Sequence, residues 1–173
     1  MAQNEIGIKP AGKQLVITRV FNAPRATVFK MWTKEEHLKN WWGPAGFDLN
    51  IKQLDLKAGG IFHYSMGSNG MEMWGQFIYV EIVPPEKLVF INTFSDEDGN
   101  ITPSPFMPGW PLEVINTVTF EEEDGKTTVT IKGNPHNATE EEYKVFESAI
   151  ASLQQGFGGT FDRLDEYLVS LSL

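Results

Sequence analysis

Apolar and polar side chains alternate from Gln14 to Phe21, with Val16, Thr18 and Val20 on one side and Leu15, Ile17, Arg19 and Phe21 on the other. A period of two predicts a strand, and apolar residues on both sides predict contacts on both of its faces. Asn22-Ala23-Pro24 ends the pattern, and Pro24 suits the first position of a helix, where its missing N–H costs nothing. The helix that follows sets Val28, Met31 and Trp32 along one stripe. Thr33 and Glu36 stand at capping-box spacing, so a second short helix is predicted to run to Trp41 and stop at Gly43-Pro44.

From Phe47 to about Gly133 the pattern returns to the strand period. Six antiparallel strands are predicted, punctuated at Lys57-Ala58-Gly59, Gly67-Ser68-Asn69-Gly70, Val83-Pro84-Pro85 and Glu123-Asp124-Gly125. The longest connection, Ser95–Trp110, holds Pro103, Pro105 and Pro108 and is expected to be an irregular, lid-like loop. A long helix then opens at Asn137 or Thr139, each with a glutamate three residues on. Its stripe is Phe146, Ala149, Ile150, Leu153, Phe157, Phe161, Leu164 and Leu168, spaced mostly three or four apart. Gly156, Gly158 and Gly159 interrupt it, each costing about 1 kcal/mol relative to alanine. That cost suggests close backbone approach, space left open beside the helix, or a kink.

The expected fold class is therefore α+β: a curved antiparallel sheet of about seven strands around one long C-terminal helix, with two short helices after the first strand. Residues 1–13 are polar and punctuated by glycine and proline, and are expected to be a flexible N-terminal leader. Residues 14–173 are expected to form a single domain.

Trp41 and Trp42 are adjacent and followed by Gly43-Pro44-Ala45-Gly46-Phe47. One buried indole covers about 150–250 Å², roughly 4–6 kcal/mol when removed from water at ~25 cal/mol per Å². Neighbouring side chains cannot point the same way, so one ring is expected in the core and the other at a cavity wall.

Composition narrows the function classes. The 173 residues carry a net charge of −9 and no cysteine, which removes disulfides, thiol nucleophiles and thiolate metal sites and fits a cytoplasmic setting. The start of the chain lacks the basic and apolar regions of a signal peptide, and no run is apolar enough for membrane insertion. Residues 1–57 hold nine Lys/Arg against five Asp/Glu, and residues 58–173 hold five against eighteen. That balance of +4 and −13 disfavours nucleic acid, and leaves the basic first third open to an acidic protein partner.

Several segments, in order, resemble one family. They are Arg19-Val20-Phe21-Asn22-Ala23-Pro24 with Val28-Phe29-Lys30-Met31-Trp32, Trp41-Trp42-Gly43-Pro44, and Asp55-Leu56-Lys57-Ala58-Gly59-Gly60. Pro84-Pro85-Glu86-Lys87-Leu88-Val89 and the stretch from Gly156-Phe157 to Leu164-Asp165-Glu166-Tyr167-Leu168 complete the set. The chain resembles the START-like (Bet v 1-like, SRPBCC) superfamily, and more narrowly the single-domain relatives of the Hsp90 ATPase activator's C-terminal domain. Phe157 stands where that family more often has tryptophan. The resemblance implies a helix-grip fold and a cavity between helix and sheet. Relatives include lipid and hormone carriers and polyketide cyclases. The family's two-domain co-chaperones contact Hsp90 through a separate N-terminal domain, for which 173 residues are expected to leave no room.

Three histidines are present, none at metal-ligand spacing, and there is no HExxH, GxSxG or Gly-rich phosphate loop. No metal and no cofactor is expected. His37 is expected in solvent, His63 on the outer face of its strand, and His136 in the turn before the long helix. The alternation Val114, Asn116, Val118, Phe120 puts Asn116 on an apolar face, where an unpaired amide costs about 1–3 kcal/mol. Other candidates for a ligand-binding cavity wall are Trp32, Trp42, Phe62, Tyr64, Met66, Trp74, Gln76 and Asn92, with Phe146, Leu153 and Phe157 from the long helix. The expected function is uptake of a small apolar or aromatic ligand. The alternatives are a cyclase- or hydratase-type enzyme using Tyr64, Asp48 or His136 as acid or base, and regulation of a chaperone ATPase by protein contact.

Overall fold

In the computed structural model the described residues are 13–44 and 46–172; the expected leader falls almost wholly outside them. Strand β1 (Leu15–Phe21) leads into helices α1 (Arg25–Thr33) and α2 (Glu35–Leu38). The sheet continues through β2 (Asp48–Leu54), β3 (Ile61–Ser68), β4 (Met71–Val83), β5 (Lys87–Ser95) and the two-residue β6 (Ile101–Thr102). Strands β7 (Val114–Glu123) and β8 (Lys126–Pro135) complete it, and helix α3 (Glu140–Leu171) follows. All pairings are antiparallel, in the order β1-β8-β7-β5-β4-β3-β2 with β6 beside β5. The sheet curves around α3 without closing, which is the α+β helix-grip arrangement.

The eighth strand is β6, inside the connection expected to be irregular. It forms because the Asp96–Asn100 turn folds back and pairs Ile101 with Ser95 and Thr102 with Phe94. The two-sided contact expected for β1 is not found among the described residues. Val16 and Val20 are exposed and Leu15, Ile17 and Phe21 are buried, since β1 is an edge strand covered on one face only.

The predicted capping box at Thr33 does not form. Thr33 lies in the last turn of α1, donates its hydroxyl to the Phe29 carbonyl at 2.9 Å, and leaves α2 uncapped and one turn long. Thr139 behaves as expected: its hydroxyl accepts from the Glu142 N–H at 3.1 Å, and the Glu142 carboxylate accepts from the Thr139 N–H at 2.9 Å. With both orphan donors met, α3 runs for 32 residues.

Burial along α3 is uneven, and that positions the site. Phe146 and Ala149 near its start, and Phe161, Leu164 and Leu168 near its end, are buried. Ile150, Leu153 and Phe157 between them are only partly so. The stripe is continuous in sequence but its middle meets no packed wall. Around the C-terminal half, Trp32, Trp41, Trp42, Phe120 and Phe161 interlock at ring separations of 5.1–6.3 Å, mostly edge to face as aromatic quadrupoles prefer.

Candidate functional site

The unpacked middle of α3 faces a cavity of about 460 Å³ between helix and sheet. Helix residues Ala149, Ser152, Leu153, Gly156, Phe157 and Thr160 form one side. The inward positions Tyr64, Met66, Met73, Phe90, Asn92, Asn116 and Ile131 form the sheet side. Trp32 and Trp42 close one end, and the loop after β6, with Phe106, Met107, Trp110 and Leu112, overhangs the other. Among the described residues no Asp, Glu, Lys, Arg or His lines it.

The Trp41-Trp42-Gly43-Pro44 turn divides its two rings as its geometry requires. Trp41 is fully buried and donates its N–H to the Met31 carbonyl at 3.0 Å, whereas Trp42 lines the cavity. The turn is clasped to α3 by Arg163, which donates to the Gly43 and Pro44 carbonyls at 2.7 and 2.9 Å. Thr160 adds a 3.4 Å bond to the Gly43 carbonyl. Gly43 sits at φ +100°, and a Cβ there would lie 2.5 Å from the Met66 sulfur. The left-handed backbone is what favours glycine here, and a side chain would also have to displace the Met66 thioether.

Ten of the twelve candidate positions border the cavity: Trp32, Trp42, Tyr64, Met66, Trp74, Asn92, Asn116, Phe146, Leu153 and Phe157. Phe62 and Gln76 do not. Phe62 is an inward residue packed against Tyr64 and Phe77 at 4.7 and 5.1 Å, so it belongs to the core beside the cavity. Gln76 pairs in register with His63, on the opposite face of the sheet, and donates to the Gly99 carbonyl at 3.1 Å. Trp74 shares that outer face, with its ring 5.0 Å from His63 and 5.6 Å from the Lys52 ammonium, so it borders the cavity only from behind. The register Tyr64↔Gly75 decides the matter, because it makes Met73, Gly75 and Phe77 the inward residues of β4.

His63 lies on the outer face, but it is buried, its Nε2 3.2 Å from the Ser95 hydroxyl and 3.1 Å from the Asp96 carbonyl. The Asp96–Asn100 turn covers it, with the Asp96 carboxylate held below its ordinary pKa mainly by the Asn100 amide groups. His37 is not simply solvated: its Nδ1 lies 2.7 Å from the Tyr167 hydroxyl. His136 meets Glu113 at 2.8 Å, outside the cavity lining, and Asp48 is exposed on β2. Of the three acid–base candidates only Tyr64 borders the cavity. Its hydroxyl pKa is raised by burial, partly offset by Trp42 and Asn92, so it stays a neutral phenol. Among the described residues no three of His, Cys, Asp and Glu converge as metal ligands, and no helix is long and apolar enough to cross a membrane.

The connection expected to be lid-like does overhang the cavity, although none of its side chains is among the candidate wall positions. Its run Phe106-Met107-Pro108-Gly109-Trp110-Pro111-Leu112 is too apolar for a solvated connection, and that was the available signal. Trp110 anchors it on Phe146 of α3, ring centres 5.4 Å apart.

This architecture is shared widely. A crystal structure of a Mycobacterium smegmatis protein superposes with a TM-score of 0.72 at 27% identity, covering 90% of each chain. A solution structure from Staphylococcus epidermidis gives 0.73 at 23% identity over 96% of each, and one from Arthrobacter aurescens 0.75 at 23% over 91% of this chain and 86% of that one. None of the curated proteins matches the chain. The family model described as Activator of Hsp90 ATPase homolog 1-like protein matches residues 22–169, and the chain belongs to that family, within the START/Bet v 1-like superfamily.

Proposed function

We propose that this protein is a binding domain that takes up a small, uncharged, largely apolar molecule between α3 and the sheet. The observation that carries the reading is the wall: about 460 Å³ bounded by aromatic, aliphatic, hydroxyl and amide side chains, with no charged group among the described residues. Sites for drug-sized molecules span roughly 300–1,000 Å³ and have this composition. The half-buried middle of the α3 stripe supports it, since Leu153 and Phe157 gain full burial only when something occupies the space they face.

Diphenylmethane is a suitable neutral probe. It is expected to raise the melting temperature of the wild-type chain, because a ligand bound only by the folded state stabilises it by RT ln(1 + [L]/Kd). Leu153→Trp, which fills the cavity from the helix side, is expected to abolish that rise while the chain remains folded. Equal shifts in both proteins would put the probe on the surface, and no shift with any neutral apolar compound would end the reading.

A further inference from the structure

Three of the cavity's polar side chains converge, and their hydrogen bonding is left incomplete. Tyr64 reaches across β4 at Gly75, where a Cβ would stand 3.1 Å from the phenolic oxygen. The Trp42 and Asn92 side chains flank that hydroxyl, and all three residues line the cavity. The Trp42 N–H leans on the Tyr64 oxygen, enough to offset part of the rise in its pKa, yet it is buried and forms no hydrogen bond of full geometry among the described residues. Asn92 spends an N–H on the Gln76 carbonyl at 3.1 Å, away from the trio. A second orphan N–H belongs to Trp32, 1% exposed and part of the same wall. Buried donors are almost always paired, and unpaired ones bordering a cavity mark where a ligand atom completes the bonding. What they lack is an acceptor.

The rest of the wall restricts what that acceptor can be. With no cation among the described lining residues, a carboxylate or phosphate would lose its hydration without compensation. Resting on the uptake reading above, we propose that the ligand is a neutral molecule bearing an accepting oxygen, such as a ketone, held by the Trp42 N–H and the Tyr64 hydroxyl in an otherwise apolar chamber. Gly75 is the residue that lets the hydroxyl stand where it does. Its substitution by alanine crowds the phenol by a few tenths of an ångström without removing any donor.

Calorimetric titration of the full chain with benzophenone, diphenylmethane and 4-benzoylbenzoate at neutral pH tests this. Tyr64→Phe is expected to weaken benzophenone about five- to tenfold, the worth of one hydrogen bond, and Trp42→Phe at least as much, each with a smaller loss for diphenylmethane than for the ketone. Gly75→Ala is expected to change the ketone in the same direction by less than Tyr64→Phe. The carboxylate is expected to bind at least about tenfold more weakly than the ketone, since it finds no partner charge. Parallel changes for ketone and hydrocarbon, no change in either, or a carboxylate that binds as tightly as the ketone would overturn the proposal and leave apolar uptake standing. Failure of all three probes to bind the wild type would remove the uptake reading itself. Should Trp42→Phe not fold, the isosteric Tyr64→Phe decides alone.

Discussion

Two tyrosines show how one residue type serves opposite ends of the same interior. Tyr64 lines the cavity, whereas Tyr79 is buried, outside the cavity lining, with no partner for its hydroxyl among the described residues. Burial raises both pKa values, and for Tyr79 the nearby Tyr64 adds to the rise. The consequence for stability has a definite sign. Above about pH 10 the unfolded chain's tyrosines ionise while these two hold their protons, so the unfolded state binds fewer protons and stability falls as pH rises. Tyr79→Phe is expected to flatten that alkaline loss. At neutral pH it is expected to be neutral or stabilising, since it deletes an unpaired hydroxyl whose burial costs about 1–3 kcal/mol. Urea unfolding at pH 7 and pH 10.5 measures both effects, and a clear destabilisation at pH 7 would show that the hydroxyl has a partner.

Among the elements, α3 carries the most legible pattern and the least legible purpose. Its length, capping box and stripe follow from residue spacing, because helix periodicity and N-terminal hydrogen bonding are local properties. The three glycines in its middle are a different matter. A Cβ added at Gly156, Gly158 or Gly159 would meet nothing within 4 Å, which removes close backbone approach and agrees with space left open beside the helix. Gly156→Ala is therefore expected to stabilise the fold by about 1 kcal/mol from helix propensity alone. Thermal or urea unfolding showing a loss instead would mean that the glycine serves a bend. The misread capping box at Thr33 has the complementary lesson. Thr33 and Glu36 have the right spacing, but α1 continues through Thr33, and a hydroxyl already bonded within one helix cannot cap the next.

The whole molecule is held together against its own charge. A net −9 on 173 residues repels itself, and only a few contacts answer it directly. Arg19 bridges Asp162 and Asp165 of α3 from the edge strand, joining the basic first third to the acidic remainder. These groups are substantially exposed, so such a pair contributes on the order of 1 kcal/mol or less. Raising ionic strength from ~0.01 M to ~0.15 M shortens the screening length from about 30 Å to about 8 Å, and the unfolding free energy is expected to rise. A fall would show that the Arg19 bridge and its kin outweigh the repulsion.

Residue order by itself determined the α+β class, the turns, the long helix and the expectation that Trp41 and Trp42 point to different surfaces. Each rests on periodicity, capping or the opposed directions of neighbouring side chains, which need no distant partner. The tertiary structure alone decided which face of β4 looks inward. Met71–Val83 is apolar on both sides, so only pairing with β3 could turn Met73 and Gly75 to the cavity and send Trp74 and Gln76 to the outer face beside His63. It also decided which space the 103–112 loop covers, since the apolar run marks the loop for burial but nothing local says where it docks. The convergence of Trp42, Tyr64 and Asn92, drawn from three separate segments, is likewise a fact of packing and not of spacing.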